Sequence, residues 1–300
     1  MRFIRADPVT ETPKSAREFL DNVSDPRTLT SHIVGSKPRV QRRAYDFMHI
    51  SQLDEVCARE YVIGNLSQAT RKETVSFPLQ TVFNMGSAMH YWIQNHPEAY
   101  FGRDKVLGYW FCLACGNTRR FGVQPADPCE FCGAAARASI YKEYSFRLKE
   151  HGVAGSVDII LKVGSKYRFV DIKTTAKEVL SPIGSNVVQL SSYMYFTQFD
   201  KGGLPLKIDS SLGYLVYFNK MFNFKSPVTT FKVQPTDRLM KPIIAKSRQF
   251  VEGVANSTLP DPKPSCISKN FYFAKSNPCP MVAECSTYFF ENVKKFKKSS

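Results

Sequence analysis

Residues 155–175 read GSVDIILKVGSKYRFVDIKTT, and the organisation of the rest of the chain follows from them. Two β-rich runs, Val153 to Val163 and Tyr167 to Ile172, flank the turn-prone Gly164-Ser165-Lys166, which predicts a hairpin carrying carboxylates at Asp158 and Asp171. Asp171 and Lys173 are two apart, so on a strand they share one face while Ile172 points the other way into a core. Neither Asp171 nor Lys173 is expected to be a core residue. A carboxylate and an ammonium side by side, with a second carboxylate from the neighbouring strand, make a hard oxygen site for a divalent cation. Beside it stands a cation able to offset developing negative charge. That set suits phosphodiester hydrolysis. The plainer alternative is a strand end at Asp158 and a solvated ion pair between Asp171 and Lys173.

Composition narrows the class. Three hundred residues, 43% of them hydrophobic, can bury a sizeable core, as one large domain or one domain with an inserted module. Forty-one Lys and Arg against 26 Asp and Glu leave a net charge of +15, which favours a polyanionic partner, nucleic acid before membrane surface. No apolar run is long enough to span a membrane, and MRFIRADPVTETPKS has no signal-peptide h-region, so a soluble, cytoplasmic protein is expected. The eight cysteines form two C-x-x-C pairs and four dispersed residues in a chain too large to need disulfides, which points to metal.

The most specific cysteine signal is Cys112-Leu-Ala-Cys115-Gly and Cys129-Glu-Phe-Cys132-Gly, with thirteen residues between Cys115 and Cys129. Two such knuckles supply four thiolates to one structural Zn²⁺ and leave no open position for catalysis. Arg119, Arg120 and Phe121 between them either touch nucleic acid or form a solvated turn. Upstream, residues 1–45 are polar, with the basic cluster Lys37, Arg39, Arg42 and Arg43, and read as a loosely docked arm with one short helix near Ser15 to Asn22. A helix is expected from Ser51, with Cys57 on its apolar face. A second, about Leu79 to Asn95, places Val82, Met85, Met89 and Trp92 or Ile93 on one face and stacks Gly86 over His90, four apart. Tyr141 to Leu148 alternates as a strand bearing Glu143, which is either an exposed carboxylate or a site residue. A helix from about Ser185 to Phe199 carries Gln189 and Tyr193, again four apart. Two strands, SLGYLVYFN and VTTFKVQ, and a helix from Thr236 to Val254 follow. The end of the chain holds Cys266, Cys279 and Cys285 and a basic tail with Lys294, Lys295, Lys297 and Lys298.

From about Ser51 to Tyr288 this order of residues resembles the RecB-like branch of the PD-(D/E)XK nuclease superfamily. The resemblance rests on Gly86 and His90 as G-x-x-x-H, on Asp158, on Asp171-Ile172-Lys173 as D-x-K, and on Gln189 and Tyr193 as Q-x-x-x-Y. It implies that His90, Asp158, Asp171 and the Ile172 carbonyl bind Mg²⁺ or Mn²⁺ and that Lys173 orients the nucleophile or offsets transition-state charge. Glu143 would lie near the metal, with Gln189 and Tyr193 along the DNA path. Cys57, followed by Arg59 and Tyr61, and the C-x5-C of Cys279 and Cys285 are similar to the iron-sulfur pattern of the CRISPR adaptation nucleases and AddB-type nuclease domains. By that likeness Cys57, Cys266, Cys279 and Cys285 would hold one cluster, a 4Fe-4S type. Where those relatives have a further Cys three positions before the C-x5-C this chain has Ser276, and Cys266 is the nearest substitute.

The expected fold is therefore α/β of the restriction-endonuclease type, a central mixed sheet flanked by helices with an inserted zinc ribbon. The expected divisions are an arm (1–45), a helical part of the nuclease domain (46–105), the ribbon (106–137), the nuclease core (138–256) and a cysteine-containing segment with a basic tail (257–300). The expected function is a metal-dependent DNase, an exonuclease acting on DNA ends or single strands in recombination, repair or replication. Its setting would be a prokaryotic or phage-infected cell. No P-loop is visible, so a helicase or recombinase partner would be a separate chain. The alternative is a non-catalytic nucleic-acid-binding or recruitment module on a nuclease-like scaffold.

Overall fold

A computed structural model describes residues 39–220, 227–262, 266 and 279–288. The helix expected near Ser15, Ser276 and the basic tail lie outside these residues. In chain order come β1 (Arg39–Ala44), β2 (Met48–His49), α1 (Ala58–Leu66), β3 (Thr70–Val75), α2 (Phe77–Asn95) and the one-turn α3 (Pro97–Tyr100). Next, β4 (Val106–Leu107) and β5 (Tyr109–Cys112) enter the four-cysteine insertion, which returns through β6 (Ser139–Lys142). They are followed by β7 (Tyr144–Leu148), β8 (Val153–Val157), β9 (Ile159–Val163), β10 (Lys166–Thr175) and α4 (Gly184–Phe196), then β11 (Gly213–Asn219), β12 (Val228–Val233) and α5 (Asp237–Ala255).

The central sheet has the order β12-β11-β10-β9-β4. β10 and β11 run parallel and the other neighbours antiparallel, so the sheet is mixed, as expected. A parallel pair needs a crossover, and α4 supplies it. One face, with Phe169, Leu215 and Tyr217, packs on Val188, Leu190 and Tyr193 of α4 and on Tyr61, Met240 and Phe250 beyond. The opposite face, with Val170, Ile172, Val216 and Phe218, packs on Ile93 of α2 and on Trp110 and Tyr141. Burial on both faces is why β10 is apolar on either side of Asp171. Among the described residues no helix is long and apolar enough to cross a membrane.

Several local expectations are corrected. Val153 to Val163 is two strands: β8 pairs with β7 and β2 in a second, three-stranded sheet, while β9 belongs to the central one. The chain changes sheet at Asp158. The β9–β10 ladder stops at Val170 opposite Ile159, and the Asp158 carboxylate accepts the Ile172 N–H at 2.7 Å where a ladder bond would otherwise fall. A backbone donor is thereby satisfied by a side chain at the break. Residues 50–56 are not the start of a long helix: a 3-10 turn spans Ile50–Gln52, and α1 begins only after Cys57, which is extended. The buried Ile50, Leu53 and Val56 are three apart, a spacing that the tighter turn satisfies as well as an α-helix does.

α2 starts two residues before the expected Leu79, with Pro78 in its first turn, where its missing N–H costs nothing. Its expected apolar face is not covered. Val82, Met85 and Trp92 are about half exposed, and burial is confined to Ile93 and Gln94 in the last turns. Finally, residues 39–44 are not a loose arm but the strand β1, paired antiparallel with β3.

Candidate active site and metal centres

The candidate site forms where β10 passes between α2 and α4. Asp171 and Lys173 project from the face that α4 covers, and the backbone N–H of Ile172 is held by Asp158 from the break between β8 and β9. Lys173 Nζ lies 2.8 Å from Asp171 Oδ2 and donates to Gln189 Oε1 at 3.0 Å. Gln189, one turn before Tyr193 on α4, donates from Nε2 to Asp171 Oδ1 and to the Tyr193 hydroxyl, both at 3.2 Å. Tyr193 reaches the site because Gly155 of β8 leaves room for its ring. A Cβ at Gly155 would come within 2.7 Å of it. The site is thus bounded by a four-membered polar chain of Asp171, Lys173, Gln189 and Tyr193.

The second side of the site comes from α2. His90 Nδ1 lies 3.7 Å from Asp158 Oδ2. His90, Glu143 and Asp158 each offer a ligand atom within 4.8 Å of the others. Gly86, one turn earlier, faces the Thr174 hydroxyl across the gap to β10, at 3.3 Å from where a Cβ would stand. Gln94, one turn after His90, was not singled out from the sequence. Its Nε2 donates to Glu143 Oε1 at 3.0 Å and to the Asp158 carbonyl at 3.1 Å, fixing both acids from behind. Its place four residues after His90, on the same helix face, was the available signal.

Burial makes these charges expensive. Asp171 is 1% exposed, against the expectation that it would not be a core residue, and Asp158 is 9% exposed. Burial pushes the Asp158 carboxyl well above the usual carboxylate range, with Asp171 and Glu143 adding to the rise. Asp171 is also raised by burial, although Lys173 opposes the shift. For Lys173 burial alone would lower the value, but Asp171 and Asp158 outweigh it and the ammonium is held above its ordinary pKa. His90 falls to about 4, by burial first and then by the Lys173 charge, so it is a neutral imidazole at neutral pH. The buried Asp171 Oδ2 has the Lys173 ammonium, 2.8 Å away, as its ion-pair partner. Two crowded carboxylates and a neutral imidazole are a donor set that fits a hard divalent cation.

The second centre is the insertion. The Cys112, Cys115, Cys129 and Cys132 sulfurs all lie within 4.8 Å of one another, with Cys112 to Cys132 at 3.8 Å and Cys115 to Cys129 at 3.9 Å. A tetrahedral zinc with bonds of about 2.3 Å sets its sulfurs about 3.8 Å apart. The four cysteines therefore form a set able to bind a metal such as zinc. Gly116 and Gly133, at φ +75° and +72°, take the left-handed conformation that closes each knuckle. Backbone amides of Cys115 and Ala114 help hold the Cys112 thiol at about 7. Arg119 is not a solvated residue. It is 9% exposed, donates to the Asp127 and Pro128 carbonyls and to Ser139, and pairs with Glu130 at 2.7 Å. It pins the second knuckle to β6.

Three of the remaining four cysteines, Cys57, Cys279 and Cys285, gather near the start of α1. Cys57 flanks that helix, Arg59 Nε donates to Cys285 Sγ at 3.0 Å, and Cys279 Sγ donates to Glu60 Oε2 at 3.8 Å. Burial pushes the Cys279 thiol up to about 12, aided by Glu60 and, more weakly, by Cys57 and Cys285. Cys266 is buried, at 8% exposed.

No protein-family model matches the sequence, and no curated protein matches it. Among solved structures the chain is similar to SSO0001, at 15% identity and a TM-score of 0.33, covering 79% of this chain and 86% of that one. It is also similar to LHK-Exo, an alkaline exonuclease from Laribacter hongkongensis, at 9% identity and a TM-score of 0.41, covering 71% of this chain and 90% of that one. The same exonuclease in complex with dAMP gives 10% identity, a TM-score of 0.41 and the same coverage. These are likenesses of broad outline, and the functional reading rests on the residues of this chain.

Proposed function

We propose that this chain is a metal-dependent deoxyribonuclease of the PD-(D/E)XK type, an exonuclease working on DNA ends or single strands in recombination, repair or replication. The observation that carries the reading is the pair of buried carboxylates, Asp158 and Asp171, set against a half-buried lysine and a neutral histidine. Packing alone gives no reason to bury two acids together, since each raises the cost of ionising the other. A divalent cation relieves that cost. In this reading His90, Asp158, Asp171 and the Ile172 carbonyl hold Mg²⁺ or Mn²⁺, with Glu143 beside them.

The bound cation supplies Lewis-acid polarisation of the scissile phosphate and a water activated near neutral pH. The chain supplies the rest. Asp171 and Gln189 fix the Lys173 ammonium, which offsets the charge that develops on the phosphate oxygens. Gln189 in turn takes its orientation from Tyr193, and Gln94 holds Glu143 and the Asp158 backbone. The net charge of +15 attracts the DNA backbone with an affinity that falls as salt rises.

Within the same reading the ribbon cysteines hold a structural zinc, and Cys57, Cys266, Cys279 and Cys285 hold a 4Fe-4S cluster tying α1 to the end of the chain. The convergence of Cys57, Cys279 and Cys285 from more than two hundred residues apart supports the second assignment. The ribbon is an insertion at 106–137 between a helical part (46–105) and the core (138–256). A helicase or recombinase works beside this chain in the cytoplasm of a prokaryotic or phage-infected cell.

The test is purified protein on end-labelled single-stranded, duplex and circular DNA with Mg²⁺, Mn²⁺ or EDTA. Metal-dependent shortening from the ends supports the reading. Binding without cleavage under every condition would replace it with a non-catalytic binding module.

A further inference from the structure

At the carboxyl-terminal edge of the central sheet β10 and β11 run side by side, in the register Lys173 with Tyr217, Thr174 with Phe218 and Thr175 with Asn219. The ladder continues one residue further, because the Lys220 N–H donates to the Thr175 carbonyl at 2.8 Å. Side chains two apart on a strand share a face. Val216 and Phe218 pack with Ile172 and with Ile93 of α2, so Lys220, next in that row, comes out on the α2 side. Lys173 stands on the other side, bonded to Gln189 of α4.

His90 lies at the same edge. Gly86, one turn before it on α2, faces the hydroxyl of Thr174, the register partner of Phe218. Lys220 is half-buried. The His90 pKa is lowered first by burial, then by Lys173, and also by Lys220, so the Lys220 charge reaches the imidazole. Lys173 has the Asp171 carboxylate 2.8 Å away, whereas Lys220 has no carboxylate within ion-pair distance among the described residues. A cation without an acidic partner beside a metal ligand opposes the arrival of a second cation, since like charges repel. It contributes favourably once an anion lies beside it and the metal. The anion that the proposed reaction brings to this place is a phosphodiester.

We propose that Lys220 binds a backbone phosphate of the DNA strand on the His90 side of the metal. The proposal rests on the DNase reading and deepens it, by adding a substrate-binding residue to the same site. Lys173 serves the reacting phosphate from the α4 side of the sheet, and Lys220 holds a neighbouring phosphate from the α2 side. Lys220 therefore acts on substrate affinity more than on the bond that breaks.

The experiment compares the full chain with Lys220→Gln and Lys220→Arg in three measurements. Mg²⁺ affinity without DNA is read from Tm against Mg²⁺ concentration, binding of a single-stranded oligonucleotide is recorded against salt in EDTA, and cleavage is followed at steady state with Mg²⁺. Lys220→Gln should tighten Mg²⁺ binding by about two- to fivefold, because a repelling charge is gone. It should flatten the slope of log affinity against log salt by about 0.7, the share of one phosphate contact on a single strand. It should raise KM by about tenfold, more than it lowers kcat, the cost of one hydrogen bond to a charged group. Lys220→Arg keeps the charge and should keep the wild-type slope and KM. Should Lys220→Gln not fold, Lys220→Met, which preserves the apolar stem, takes its place.

A neutral variant, folded by circular dichroism, with the wild-type salt slope and the wild-type KM overturns the proposal, whatever its Mg²⁺ affinity. The DNase reading is judged separately, by metal-dependent cleavage in the wild type, and survives that result. A wild type that neither binds nor cuts DNA overturns both.

Discussion

Asp158→Asn isolates the electrostatic cost on which the proposed site rests. The amide keeps the shape of the carboxylate and retains an oxygen to accept the Ile172 N–H, so the break between β8 and β9 should survive. What disappears is a buried negative charge whose pKa is raised by burial, by Asp171 and by Glu143. Between the usual carboxylate pKa and that raised value, the folded wild type binds more proton than the unfolded chain does. The sign then follows: metal-free stability falls as pH rises through this window, by up to about 1.4 kcal/mol per pH unit for one group.

The variant lacks that contribution, so the stability difference between variant and wild type, both in EDTA, should move in the variant's favour from pH 5 to pH 7. Metal reverses the order. At a concentration of about 100 times Kd a bound cation stabilises the wild type by about 2.7 kcal/mol. For a chain of this size that is a rise in Tm of about 4 °C. The asparagine variant should rise by less than about 2 °C. Thermal unfolding with EDTA and with titrated Mg²⁺, at several pH values, measures both effects. A metal-induced shift in the variant equal to that of the wild type would refute the reasoning.

Lys173→Ala should lower cleavage by about 10²–10³-fold, the cost of removing one group that stabilises transition-state charge, while the Mg²⁺-induced rise in Tm persists; loss of the thermal shift together with activity would make Lys173 structural instead. Cys115→Ser should abolish bound zinc and expose the 106–137 segment to protease, since a structural zinc contributes on the order of 10 kcal/mol to a module with little core; zinc-free wild type by elemental analysis would contradict this. Arg119→Ala, which removes the clamp on the second knuckle, should destabilise the same segment without changing the salt dependence of DNA binding, and a change in that dependence would return Arg119 to the nucleic-acid surface. Anaerobically purified protein should be brown and contain iron, with Cys285→Ala losing both, and a colourless, iron-free wild type would leave Cys57, Cys279 and Cys285 as ordinary half-buried thiols.

The features legible in the sequence were those set by short spacings. D-x-K on a strand fixes a shared face whatever the strand pairs with, and four-residue spacings on helices fix the stacking of Gly86 with His90 and of Gln189 with Tyr193. The two C-x-x-C-G knuckles announced their own convergence. Features that depend on distant partners were not legible. The break at Asp158 exists because its side chain finds the N–H of Ile172, fourteen residues away, and nothing in the alternation of 153–163 encodes that.

The pairing of β1 with β3 is likewise non-local, and a polar, basic stretch taken alone reads as a loose arm. Arg119 between two knuckles looks solvated until the carbonyls of Asp127 and Pro128 are seen to surround it. The apolar positions of α2 predicted a buried face because periodicity reports a stripe but not what covers it. Here the described neighbours leave Val82 and Met85 half exposed.

The central claim is that DNA is cut at the Asp158, Asp171 and Lys173 site. Its most direct test is a side-by-side digestion of linear end-labelled DNA with Mg²⁺ by the wild type and by Asp171→Asn, with binding followed in the same samples. The account predicts that the wild type shortens the DNA and that the variant binds it and leaves it intact. A variant that cuts as fast as the wild type, or a wild type that leaves every DNA intact, would contradict it.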